Sequence, residues 1–288
     1  MNRDKTLLKE QQAFNAVAAG SVANTVVPSR GSTYLAFFIE HKAGAGVLAN
    51  DATMAANILN VQVKVNGDSI FNLSGAEAMM LADFYGYTRD DGYLPILFNR
   101  PEFGMRTEAD NFSLGTADVS NLSVEVTLAP AAVTPSLRLF ADVEDAAPRP
   151  FGQLIRVRST NLGSAIAAGT HEITDLPITG PGRGIKALHI ARSDISEHEI
   201  EITKGNNSKV ISEAPKELQA VFHDVKSYTT SGRTPQAGYY HIDIAGNRYG
   251  SIRSTNLDEF RLKLVVTGAA ASLKIIHEEV VGVPDMAA

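Results

Sequence analysis

Cysteine and tryptophan are both missing from this chain of 288 residues. Without cysteine, the chain can form no disulfide and no thiolate metal site, and it has no cysteine nucleophile. No apolar run is long enough to span a bilayer as a helix, and residues 1–14 lack the apolar core of a signal peptide. The sequence therefore predicts a protein that is made and folded in a cytosol.

Basic charge is also scarce. The chain has 26 lysines and arginines against 32 aspartates and glutamates, a net charge of −6 at pH 7, and no dense basic block. Proteins that read or package nucleic acid usually present a basic patch. We therefore expect no direct contact with nucleic acid.

The common catalytic signatures are absent. The sequence has no G-x-S-x-G elbow and no G-x-x-x-x-G-K-[ST] loop. Gly44–Ala49 reads GAGVLA, a G-x-G-x-x-A match, but it does not directly follow its strand and lacks the later parallel strand with an acidic residue. Gly180–Gly184 (GPGRG) is interpreted as a turn before a strand. We predict no catalytic and no cofactor-binding residues, and hence no enzyme.

Metal-binding side chains are present but do not converge. A cupin-type centre needs two histidines alternating on one strand plus a carboxylate, and no histidine pair here has that spacing. The seven histidines are His41, His171, His189, His198, His223, His241 and His277. The acidic groups at Asp90–Asp91 and Asp142–Asp145 are interpreted as solvated turn charges. Calcium at an interface is the alternative, because a hard cation takes several oxygen ligands, so the metal ligands stay unassigned.

An internal repeat is the strongest positive signal. LSVEVTLAPAAVTPSLRLFADVE, from Leu122, and FRLKLVVTGAAASLKIIHEEV, from Phe260, each predict a hairpin of two alternating strands around a small-residue turn. Three further pairs recur in the same order at similar spacing. They are the strands starting near Gly31 and Gly182, near Val61 and His198, and near Gly92 and Gly238. This ordered series predicts a tandem duplication.

The pattern within each half predicts the fold class. Six to eight short alternating strands per half, with one clear helix, are typical of a jelly roll. The first helix is predicted to begin at Ser74, with Glu77 completing a capping box, and the second near Pro215. We therefore predict an all-β protein of two tandem jelly-roll β-sandwiches, each with one short helix. Residues 1–13 are predicted to be a tail or short helix, 14–146 the first jelly roll and 147–288 the second, joined by the proline-containing segment Glu144–Gly152.

Seven stretches carry a resemblance to a known family. They are FNAVAAG (14–20), VQVKVNGDSI (61–70), FNRPEF (98–103), AGTHEITDLP (168–177), IKALHI (185–190), LDEFRLKL (257–264) and EEVVGV (278–283). Through this colinear set the chain resembles the major capsid proteins of icosahedral bacterial viruses with an internal membrane, most closely the corticovirus coat proteins.

The resemblance implies a structural role in a virion. It implies a double jelly roll, three copies of which form a pseudo-hexameric capsomer that tiles an icosahedral shell around the membrane. The implied partners are other copies of the chain, minor capsid or membrane proteins and the membrane. The implied location is the virion, after a stage in the host cytoplasm. The segment Asp4–Phe14 is hypothesised to be an amphipathic anchor on the underside of the shell, with a disordered tail as the alternative.

Two other functions are open to a double β-sandwich. A bicupin oxidoreductase lacks its histidine ligands. A carbohydrate-binding or carbohydrate-cleaving protein is the main alternative, but it would need exposed aromatic platforms beside acid pairs. Tyr85, Tyr87 and Tyr93 are instead expected to pack at a turn, and the chain has no tryptophan.

Overall fold

A computed structural model describes residues 6–44, 46–103, 109–177, 182–218, 221, 233–244, 252–253 and 257–282. The chain divides into two units, residues 1–154 and 155–288. Among the described residues, no helix has the length and apolar character needed to cross a membrane.

The first unit is an antiparallel β-sandwich with two helices. Its elements are β1 (Thr6–Glu10), β2 (Val22–Val27), β3 (Thr33–Ala43), β4 (Val47–Leu48), α1 (Asp51–Asn57), β5 (Ile58–Val65), β6 (Asp68–Leu73), α2 (Gly75–Phe84), β7 (Tyr93–Leu97), a 3-10 turn (Pro101–Phe103), β8 (Leu114–Gly115), β9 (Leu122–Leu128) and β10 (Ser136–Glu144). One sheet has the order β1-β10-β3, with β4, β7 and β8 also paired to β3, and the other has the order β2-β9-β5-β6. Alternate residues of β9 and β10 point inward and are buried, which places the core between the two sheets.

The second unit repeats this arrangement strand for strand. Its strands are β11 (Leu154–Ile166), β12 (Gly169–Ile173), β13 (Arg183–Ile190), β14 (Ile195–Lys204), β15 (Asn207–Pro215), β16 (Tyr240–Asp243), β17 (Ile252–Arg253), β18 (Glu259–Val266) and β19 (Ala271–Val281). One sheet has the order β11-β19-β13, with β16 and β17 also paired to β13, and the other has the order β12-β18-β14-β15. The same pairing order in both units identifies a duplicated jelly roll.

The two predicted hairpins are wrong in one respect. Strand β9 pairs with β2 and β5, whereas β10 pairs with β1 and β3, so the two strands lie in different sheets. Strands β18 and β19 are separated in the same way. Alternation and a turn identify two strands, but they do not show whether the strands pair with each other. Residues 129–135 therefore form an arch between the sheets instead of a hairpin turn.

The N-terminal prediction also needs correction. Residues 6–10 form β1, which pairs with β10 along its whole length, and not a tail or short helix. Arg138 donates to both carboxylate oxygens of Glu10, at 2.8 and 2.6 Å, and this hydrogen bonding lowers the pKa of Glu10. A short polar segment gains this structure only from its neighbour, which local sequence does not reveal.

The helices agree with the sequence in part. Helix α2 begins at Ser74 with the expected capping box, since the Ser74 hydroxyl accepts from the Glu77 N–H and Glu77 accepts from the Ser74 N–H. Helix α1, capped by Asn50, was not predicted, so the first unit has two helices and not one. Of the helix predicted near Pro215, only residues 216–218 and 221 are described, and Leu218 and Val221 are exposed.

Candidate assembly surface

The predicted dinucleotide mismatch is confirmed by geometry. The segment Gly44–Ala49 contains β4, which runs antiparallel to β3, and α1 and β5 follow it. A dinucleotide-binding turn joins a strand to a helix and then to a parallel strand. This segment therefore lacks the structure that holds a pyrophosphate.

Two histidines of the second unit belong to one buried hydrogen-bond network. The N–H of Gln236 donates to Nε2 of His241 at 3.0 Å, which assigns the proton of that ring to Nδ1. His241 Nδ1 then donates to Nδ1 of His189 at 2.8 Å, and His189 Nε2 donates to Glu278 at 3.0 Å. The network joins the chain before β16 to the sheet, which is a structural role.

The remaining described histidines are also bonded within their own unit. Their partners are Ser136 and Asn57 for His41, Ala167 for His171, Tyr240 and Ser212 for His198, and Thr160 and Glu279 for His277. Position 223 lies outside the described residues. Across the described part of the chain, no three histidine or carboxylate side chains are grouped closely enough to hold a metal ion.

The two acidic groups lie apart from each other and from the histidines. In the second group, Glu144 pairs with Arg149 at 2.9 Å, and burial raises the pKa of Asp142. The first group, Asp90 and Asp91, lies in the turn before β7, where the Asp90 carbonyl accepts from the Tyr93 N–H. Calcium between chains therefore stays a prediction about surfaces that a single chain does not complete.

The three tyrosines of the proposed sugar site do not form an exposed platform. Tyr85 is fully buried and stacks on Tyr87 with ring centroids 5.7 Å apart. The Tyr87 hydroxyl donates to Glu102, which itself pairs with buried Arg100 at 2.8 Å. These rings fix the segment after α2, which weakens the carbohydrate alternative.

The unusual surface of the first unit is the outer face of its β1-β10-β3-β7 sheet. In strand register, Glu10, Phe140, Phe38 and Pro95 form one row, and Leu8, Asp142, Ala36 and Leu97 form the next. The outward face of an exposed sheet is normally polar, yet most of these side chains are apolar. A groove of about 320 Å³ opens here, lined by Leu8, Phe38, Tyr93 and Phe140. We call these two rows together with Tyr93 the outer apolar face.

Charges of both signs border the outer apolar face, and they pair with each other. Arg138 bonds Glu10 and lies 3.5 Å from Glu40, while its guanidinium carbon is 4.8 Å from the centre of the Phe140 ring. Lys42 is 3.3 Å from Glu40, whose pKa is lowered: burial alone would raise it, but hydrogen bonds from Tyr93 and Lys42 outweigh burial. The border therefore carries two positive and two negative side chains and no excess of either sign.

Comparisons with known proteins agree with this fold and surface. Residues 8–144 match the viral coat protein P2 N-terminal domain, and residues 154–283 match the viral coat protein P2 C-terminal domain. The major capsid protein P2 of bacteriophage PM2 is 20% identical, with a TM-score of 0.80 over 99% of this chain and 100% of that one. No curated protein sequence matches the chain.

More distant solved structures share the fold alone. The Sulfolobus turreted icosahedral virus structure has a TM-score of 0.65 at 12% identity, covering 96% of this chain and 91% of that one. The PBCV-1 virus capsid has a TM-score of 0.60 at 12% identity, covering 96% and 94%. Two duplicated jelly rolls with these likenesses define the class of double jelly-roll viral coat proteins. Within that class, the chain belongs to the viral coat protein P2 family, and it is a major capsid protein and not an enzyme.

Proposed function

We propose that three copies of this chain associate into a pseudo-hexameric capsomer, which tiles an icosahedral shell around an internal membrane. The observation that carries the proposal is the repeated strand order, because two jelly rolls per chain give six similar lobes in a trimer. Closed cyclic assemblies are the usual outcome when one chain binds copies of itself. Six lobes suit the near-hexagonal packing of a shell.

A permanent trimer needs large buried surfaces. Obligate interfaces bury on the order of 2,000 Å² or more and are more apolar than ordinary surfaces. The outer apolar face provides such a surface on the first unit. The inner side of the shell faces the membrane and minor proteins, and the chain passes through the host cytoplasm before assembly.

The mass of the purified protein in solution tests the trimer. Light scattering behind size exclusion should give three times the chain mass of 30.8 kDa, and the complex should survive dilution. A stable monomer would contradict the proposal. A parallel run with a chelator tests for calcium between chains: dissociation on chelation indicates a bound cation, and an unchanged trimer excludes one that holds the contact.

A further inference from the structure

We infer that the outer apolar face is a contact surface for a second copy of this chain. The inference rests on the proposed trimer and specifies which part of the first unit is covered within it. The face combines a row of directly paired apolar residues with a groove, and it crosses four strands.

The exposure of β1 is the first argument. All five of its residues are exposed, and Leu8 is 68% exposed although it points into the groove. A leucine that is fully buried stabilises its surroundings substantially compared with one left in water. A strand built this way is left incomplete by its own chain.

The duplication supplies the second argument. In the second unit, the equivalent outer face belongs to the β11-β19-β13-β16 sheet and carries His189, His241, Ile276 and Glu278. These side chains are buried, with exposures of 3% or less. The same face of the same fold is therefore covered in one unit and open in the other.

Charge decides the kind of partner. Nucleic acid and anionic lipid surfaces attract an excess of basic side chains. The border of the outer apolar face has Arg138 and Lys42 balanced by Glu10 and Glu40, all paired within the chain. An apolar surface with an internally neutral border fits a protein partner, and the chain belongs to a family of shell-forming coat proteins. A second copy is the partner that such a shell supplies.

The test compares Leu8→Asp with Val133→Asp by light scattering. Both positions are exposed in the single chain, at 68% and 64%, so neither substitution disturbs the core. Val133 lies in the arch of residues 129–135, away from the face, and serves as the matched control. Leu8→Asp should weaken each contact between chains at least tenfold, equivalent to about 1.4 kcal/mol, while Val133→Asp should remain a trimer.

Each outcome has a distinct meaning. A wild-type monomer contradicts the trimer itself, and the contact surface with it. A wild-type trimer that tolerates Leu8→Asp as well as Val133→Asp overturns the surface and leaves the trimer standing. Dissociation of both variants also overturns the surface, because the effect would not be specific to it. As a second probe of the same face, Phe140→Asp should also dissociate the trimer, with urea unfolding used to check that the chain still folds.

Discussion

Replacing Gly115 with alanine should loosen the segment that leads into the second unit. A Cβ atom at Gly115 would lie 2.1 Å from the carbonyl oxygen of Pro150 and 2.7 Å from that of Arg149. Ordinary carbon–oxygen contacts are longer than this by more than about 1 Å. Both obstructing atoms belong to the backbone, so the segment itself has to move.

The magnitude follows from the bonds that hold this segment. The Arg149 carbonyl accepts from Ala117 at 2.9 Å, the Arg149 N–H donates to Thr33 at 2.9 Å, and the Phe151 N–H donates to Asp118 at 2.6 Å. Each contributes about 0.5–1.5 kcal/mol, and overpacking alone typically costs about 1–3 kcal/mol. We expect Gly115→Ala to lower the free energy of unfolding of the first unit by about 2–4 kcal/mol.

Urea unfolding and amide hydrogen exchange together measure this effect. The amides of Ala117 and Phe151 should lose protection at least tenfold in Gly115→Ala. Gly31→Ala is the control, because a Cβ there meets no atom within 4 Å, and its unfolding free energy should stay within about 0.5 kcal/mol of wild type. If Gly115→Ala behaves like Gly31→Ala, the close approach described here does not constrain the segment.

Three further predictions concern a cap, a histidine and a buried ion pair. Ser74→Ala removes the α2 cap and should cost about 1 kcal/mol in urea unfolding; no change would mean that the capping box contributes nothing. Burial lowers the pKa of His41 below 6.5, so its contribution to stability is complete above pH 6.5 and falls by about 1.4 kcal/mol per pH unit below it. The difference between wild type and His41→Gln measures that slope, and Asn57→Asp, which places a carboxylate at the His41 Nε2 contact, should reverse it; a titration of His41 at or above pH 6.5 would refute this. Arg233→Met removes a 2.8 Å partner of buried Asp243 and should cost about 3–5 kcal/mol, with much of the loss recovered when Asp243→Asn is added; an equal loss in the double variant would show that the pair itself is not the cause.

The sequence predicted the fold where local rules are sufficient. Alternation located the strands, and Ser74 with Glu77 located the start of α2. It failed where a partner distant in the chain decides the outcome. The arch at residues 129–135 looks like a hairpin turn, and β1 becomes a strand only because β10 lies beside it.

The outer apolar face was missed for a similar reason. A signal for it is present in Thr33–Ile39, TYLAFFI, where Phe37 and Phe38 are adjacent and must point to opposite faces of β3. Such continuous apolar runs indicate a strand covered on both sides. The run does not show which neighbouring strands join it to make a surface, because that depends on register with β10 and β7.

The position of β10 between β1 and β3 also determines when the first unit can fold during synthesis. Thr6 of β1 pairs with Glu144 of β10, so 138 residues separate the two partners. At ribosomal rates of about 5–20 residues per second, the wait is about 7–28 s. Until β10 emerges, β1 has no neighbour and the apolar strand β3 lacks one side. The nascent chain therefore carries an incomplete apolar sheet for seconds, a window in which chaperone binding or pairing with another nascent chain competes with correct closure.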